Sequence, residues 1–122
     1  MSSKRVWLFA RVRSLKKSKQ IERQVCRLRE YCSCHGYSVI GVTRIYADDK
    51  YVLEELDRII REQDVDIVLA DREMRFGHTK QTIAAAHHRL KRANIQMMTL
   101  RNSSEELTAN MEAYVDRMEQ VP

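Results

Sequence analysis

Two short stretches of this chain carry residue types suited to gripping an anion. Arg11, Arg13 and Ser14 fall together and are followed by Lys16, Lys17 and Lys19; Asp71, Arg72 and Arg75 form the second group. Arginine's planar fork matches the oxygens of a phosphate, often in pairs of hydrogen bonds. Phosphoryl transfer without a metal needs positive charge concentrated around the group in flight. Ser14 is a hydroxyl that could serve as nucleophile, storing a broken phosphodiester as a covalent ester. Asp71 could orient an arginine or manage a proton. The plainer alternative is that Arg11, Asp71 and Arg72 form an ordinary ion-pair network.

For these groups to act together, the fold must bring them to one place. Residues 6–10 are a run of bulky apolar residues that reads as a buried strand, with Arg11 and Arg13 at its exit and on one face by strand alternation. Ser18 offers a helix cap, and Ile21, Val25, Leu28 and Cys32 follow as one helical stripe that Gly36 ends. Residues 37–42, extending toward Tyr46, read as a second strand, and Leu53, Leu56 and Ile60 as a second helical stripe. Residues 65–70 give a third strand, which exits into Asp71, Arg72 and Arg75. Thr79 or a neighbour caps a third helix bearing Ile83, Ala86 and Leu90, and the first turn of that helix adds main-chain donors for an anion. Residues 95–100 form a fourth strand. From Ser104 a last helix carries the stripe Leu107, Met111, Tyr114 and Met118, which either packs on its own sheet or needs a partner's cover. Strands alternating with helices predict a three-layer α/β fold with a mainly parallel sheet of four to five strands, plus a C-terminal amphipathic helix. Such sheets bind ligands beyond the carboxyl ends of their strands, where both charged groups would sit.

Composition agrees with a single domain. The chain has 122 residues, 43% hydrophobic, with one Pro and three Gly, which excludes a linker or low-complexity chain. No apolar run approaches a membrane span, and the charged N-terminus does not read as a signal peptide. Three cysteines make no disulfide framework and suit a reducing, cytoplasmic setting. Charge comes in blocks: net +9 over residues 1–29, −5 over 30–70, +5 over 71–101 and −4 over 102–122. Two basic blocks and a pI near 9.3 suggest a polyanionic partner, or else solvated helix faces. Cys32, Ser33, Cys34 and His35 lack the spacing and second pair of a zinc site, so Cys26 and Cys32 read as small core residues. Trp7, Met97 and Met98 read as core, and of His87 and His88 one should face the core and one water. No glycine-rich phosphate loop is present, which argues against NAD and ATP; no cofactor or metal is expected.

Phe9-Ala10-Arg11-Val12-Arg13-Ser14 and Asp71-Arg72-Glu73-Met74-Arg75, in this order and at these strand ends, resemble the catalytic domain of serine recombinases, the resolvase/invertase family. That family begins with a strand reading roughly Tyr-x-Arg-Val-Ser and carries Asp-Arg-x-x-Arg after its third strand. The resemblance covers residues 6–118. It implies a resolvase-like catalytic domain over residues 1–102 and the start of a dimerisation helix over 103–122, making a homodimer or tetramer on DNA. It implies DNA cleavage through a phosphoserine link, then exchange and rejoining, in a prokaryotic, mobile-element setting. Arg11, Arg72 and Arg75 would hold the scissile phosphate, with Asp71 assisting; Arg13, Lys16, Lys17, Lys19 and Thr79 would contact DNA. Three departures stand out. Arg13 occupies the family's nucleophile position, with Ser14 one residue later; Phe9 replaces Tyr; and residues 48–51 are shorter than the family's loop. A catalytically silent module that pairs with or regulates a recombinase is the alternative, and another α/β phosphate-binding fold, nucleotide-binding or toprim-like, is more distant.

Overall fold

Alternation along the first strand decides the architecture. β1 (Arg5–Val12) sends Val6, Leu8, Ala10 and Val12 to one face and Trp7, Phe9 and Arg11 to the other, and every residue after Arg5 is buried. A strand apolar on both faces must be covered on both. The computed structural model describes residues 3–62 and 64–101, and it supplies those covers. On one side Val6, Leu8, Ala10 and Val12 pack on Ile21, Val25, Leu28 and Cys32 of α1 (Ser18–His35). On the other, Trp7 and Phe9 join Val52, Leu56 and Ile59 of α2 (Val52–Glu62) and Ala86 and Leu90 of α3 (Lys80–Arg92). The expected three layers are present. Of the expected α2 stripe, Leu56 is buried but Leu53 and Ile60 are only partly covered; Val52 and Ile59 are the residues buried beside Leu56.

β2 (Ser38–Tyr46), β3 (Ile67–Ala70) and β4 (Gln96–Thr99) complete a four-stranded sheet in the order β2-β1-β3-β4, and every pairing is parallel. The chain leaves β1 to β2 on one side and then crosses to β3 on the other. The carboxyl ends of β1 and β3 therefore flank the point where the winding reverses, the usual ligand crevice of such sheets.

Helix ends follow sequence signals in two of three cases that bear on function. Gly36 closes α1 in the left-handed conformation, φ 69°, with its N–H on the carbonyls of Cys32 and Ser33. Thr79 caps α3: its hydroxyl accepts from the Thr82 N–H while the Thr82 hydroxyl accepts from the Thr79 N–H. Ser18, in contrast, is the first residue of α1 rather than its cap, because a 3₁₀ turn over Leu15–Lys17 delivers the chain already coiled. Cys32 is buried, but Cys26 is exposed and so not a core residue: it lies one position past Val25, off the α1 stripe. His87 is buried and His88 exposed, as their neighbouring places on α3 require. The stripe from Leu107 to Met118 lies outside the described residues.

Candidate functional site

β1 outruns β3. The two pair only from Val6 to Leu8, so the last four residues of β1 have no strand on that side. The gap is filled by a side chain. Gln24, 4% exposed on α1, accepts from the Arg11 N–H and donates to the Arg11 carbonyl, both at 3.1 Å. One amide thus stands in for a missing strand and fixes how the chain leaves β1. Buried main-chain groups that lost this partner would be orphaned at high cost.

Arg11 is held at its other end too. Its side chain is 6% exposed, on the α2/α3 face of the sheet. Nε donates to the Arg75 carbonyl at 2.9 Å, Nη2 to the Met74 carbonyl at 2.5 Å and Nη1 to the Ala47 carbonyl at 3.3 Å. The first two acceptors belong to a 3₁₀ turn, Glu73–Arg75, that follows β3; the third follows β2. One buried guanidinium ties the ends of all three neighbouring strands. Phe76 adds an apolar tie, stacking on Phe9 with ring centroids 5.1 Å apart. A phenylalanine rather than a tyrosine at position 9 leaves no hydroxyl to satisfy in a fully buried site.

Asp71 follows β3 and is 5% exposed. Arg75 donates to both its oxygens, Nε to Oδ1 at 2.7 Å and Nη2 to Oδ2 at 3.3 Å. This paired grip lets Asp71 place the Arg75 guanidinium.

These ties frame an open cavity of about 520 Å³ at the carboxyl ends of β1 and β3. Its wall includes Arg11, Arg13, Lys17, Arg75 and His78, with Asp48 as the carboxylate among them. Four of the expected residues therefore meet: Arg11, Arg13, Lys17 and Arg75. Ser14, Lys16, Lys19, Asp71, Arg72 and Thr79 are not part of that wall. Ser14 is half-buried on extended backbone, φ −154° and ψ 162°, and its carbonyl accepts from the Lys17 N–H at 3.0 Å. Lys16 and Lys19 point to solvent. The Thr79 hydroxyl is spent on its helix cap. Arg72 faces a second cavity of about 290 Å³, with Glu73, Met74, Thr99 and Arg101. The four guanidiniums of the two motifs are thus divided between two recesses, with Met74 shared by both.

Gln20, Asp48 and His78 line the first cavity and Gln24 shapes it, yet none is among the residues the sequence marks for the site. Asp48 was legible in principle, since β2 ends beside β1 and an acidic pair follows it. His78 sits between two residues that were singled out, Arg75 and Thr79. Among the described residues no cluster of three or more His, Cys, Asp or Glu is placed to hold a metal ion, and no helix is long and apolar enough to cross a membrane.

Comparison with known proteins agrees with this fold. The family model described as "Resolvase, N terminal domain" matches residues 6–121. No curated protein matches the sequence. Among solved structures, the chain is similar to the N-terminal catalytic domain of TP901-1 integrase, with TM-score 0.79 and 18% identity over 98% of this chain and 100% of that one. It is similar to a resolvase family site-specific recombinase from Streptococcus pneumoniae, with TM-score 0.75 and 15% identity over 96% and 91% of the two chains. The C-terminal catalytic domain of ISC1926 TnpA, an IS607-like serine recombinase, matches with TM-score 0.70 and 20% identity over 93% and 82%. At these identities the solved structures speak for the fold.

Proposed function

This chain belongs to the resolvase N-terminal domain family, and from that membership we propose that it is the catalytic domain of a site-specific DNA recombinase. The observation that carries the reading is the cationic cavity at the winding reversal, where Arg11, Arg13, Lys17 and Arg75 converge. A DNA phosphate is the anion that such a recess takes, its oxygens met by arginine forks. Arg13 and Lys17 meet the phosphate, Arg75 is aimed by Asp71, and Arg11 holds the walls in place. His78 and Asp48 complete the polar lining.

Cleavage on this reading uses Ser14. Its Oγ forms a bond to phosphorus while the bond from phosphorus to one deoxyribose oxygen breaks. The serine proton is given up, and the departing oxygen takes a proton. Nothing is oxidised or reduced, and the ester preserves the bond for rejoining, when a deoxyribose hydroxyl attacks the phosphoserine. The hydroxyl reaches the cavity by rearrangement of residues 13–17, a turn held beyond the strand by the main-chain bonds from Lys17 N–H to Ser14 and from Ser18 N–H to Leu15. Copies pair on DNA through the segment beyond residue 102, whose apolar stripe then gains its cover. Three free thiols fit a reducing cytoplasm.

The test is covalent capture. The protein is incubated with nicked suicide duplexes and scored for a protein–DNA adduct on denaturing gels. An adduct in the native chain, absent in Ser14→Ala with DNA binding retained, is the expected result. Persistence of the adduct in Ser14→Ala would remove Ser14 from the chemistry. DNA binding without any adduct would leave phosphate capture without cleavage, an outcome that Arg13's place in the cavity would then explain.

A further inference from the structure

Three large apolar side chains lie well exposed to solvent. Leu15 is 71% exposed, Met74 52% and Tyr51 46%, and these are the exposed large apolar residues among those described. Lone exposed apolar residues are common and need no cause. Their placement here is what calls for one. Leu15 lies on the 3₁₀ turn after β1, Tyr51 on a 3₁₀ turn after β2 (Asp49–Tyr51), and Met74 on the 3₁₀ turn after β3. Because β2, β1 and β3 are adjacent and parallel, all three turns share the carboxyl edge of the sheet. The Arg11 guanidinium reaches both Ala47 and Met74, so the ends of β2 and β3 are one side chain apart.

Cations alternate with these apolar tips. Arg13, Lys16 and Lys17 flank Leu15; Lys50 precedes Tyr51, its Nζ 5.4 Å from the ring centroid; Met74 sits between Glu73 and Arg75, with Arg72 one residue further back. Met74 itself stands between the two cationic recesses. A partner for such an edge must be polyanionic and must also offer apolar faces. DNA meets both demands, with phosphates for the recesses and sugar and base faces for the tips between them. An anionic lipid surface would also answer charge and apolarity, but the arginines here line concave recesses, which suit discrete phosphates rather than a plane.

We propose that Leu15, Tyr51 and Met74 form an apolar rim that presses on deoxyribose and base faces of the DNA strand whose phosphate fills the cavity. The proposal rests on the phosphate-binding reading above. Apolar side chains set against a base step partly unstack it, and an aromatic ring offers a stacking platform to any base. The rim would thus loosen the step beside the bound phosphate.

The full chain is titrated onto a nicked duplex with 2-aminopurine on either side of the nick, over a range of salt. Leu15→Ser, Tyr51→Ser, Met74→Ser and the triple variant are compared with Arg13→Ala; all of these side chains are exposed, and circular dichroism confirms folding. Each rim variant should bind about five- to tenfold more weakly, as loss of a buried apolar side chain implies, with the slope of log affinity against log salt unchanged. The rise in 2-aminopurine fluorescence should vanish in the triple variant. Arg13→Ala should lower affinity and slope together. Rim variants that bind and unstack DNA like the native chain, while Arg13→Ala binds worse, would overturn the rim and leave the phosphate reading standing. Loss of neither would overturn both. Binding to phosphatidylserine vesicles that the triple variant abolishes, with DNA affinity intact, would assign the rim to a lipid surface and overturn the proposal.

Discussion

Replacing Arg11 by lysine separates two roles that an arginine in a phosphate site can play. The charge survives; the fork does not. In the native chain the guanidinium bonds three carbonyls, of Arg75, Met74 and Ala47, on turns after two different strands. A lysine ammonium is a compact donor that can reach one of those turns and must release the other. Hydrogen bonds to a charged group contribute about 1.5–3 kcal/mol each. One or two are lost, according to which turn is released, and the carbonyls sit at the wall of an open cavity where water can replace part of the loss. The net destabilisation should be about 2–3 kcal/mol, or roughly 10 °C in Tm at a few degrees per kcal/mol for a domain of this size. Thermal unfolding followed by circular dichroism reads this directly, and DNA titration on the same sample reads the site. The expected result is a lower Tm with DNA affinity weakened only as far as the walls loosen. An unchanged Tm with DNA binding abolished would refute the reasoning, because Arg11 would then be a phosphate ligand whose carbonyl bonds carry little.

Other positions give sharper single readings. A Cβ at Gly41 would lie 2.3–2.5 Å from three atoms of the buried Trp7 ring, so Gly41→Ala must displace that ring and strain its Nε1 hydrogen bond to Thr43. A loss of about 2–3 kcal/mol in urea unfolding is expected, in the range of overpacked cores; a loss below about 0.5 kcal/mol would show that the ring can move freely. Glu55 is hydrogen-bonded by Arg58 and by the Thr43 hydroxyl, the Arg58 bond being the larger effect, and together they hold its carboxyl below the usual range against the opposing pull of burial. A carboxyl depressed in the folded state stabilises above its unfolded pKa and loses that contribution as pH falls through the folded value. Native stability should therefore fall more steeply than that of Glu55→Gln as the pH drops below about 4.5, and parallel profiles in urea titrations would count against the pairing. Met111→Asp should reduce self-association measured by sedimentation if the stripe beyond residue 102 is a contact between copies; an unchanged concentration dependence of mass would reject that contact.

The layers, the parallel sheet and most helix faces were legible because they follow from periodicity, which is local. Val6 to Ala10 had to be covered on both sides, and Ile21, Val25, Leu28 and Cys32 had to face something apolar. The placing of individual side chains at the strand ends was less legible, because there the backbone stops being periodic. Alternation predicts Arg11 and Arg13 on one face, yet β1 ends at Val12 and the chain bends, so Arg13 enters the cavity by a route that alternation does not describe. Nor does a one-dimensional motif reveal how far two strands run together. Since β3 pairs with β1 only to Leu8, Arg11 needed a surrogate partner, and Gln24 supplied it from a helix thirteen residues later.

The same shortfall explains why the arginines of the two motifs do not form one cluster. Like charges brought together without an anion repel, and the fold relieves this in three ways. It gives Arg11 to carbonyls, gives Arg75 to Asp71, and turns Arg72 into a separate recess. What remains facing the first cavity is chiefly Arg13 and Lys17, the cations with no carboxylate or carbonyl bond among those that line it. The site is therefore arranged as a rigid frame of committed arginines around a small set of available charges. On the phosphate-binding reading, that frame is preorganised: the hydrogen bonds on Arg11 and Arg75 that hold it are formed before the ligand arrives, while Arg13 and Lys17 lie in the segment that rearranges to bring Ser14 in.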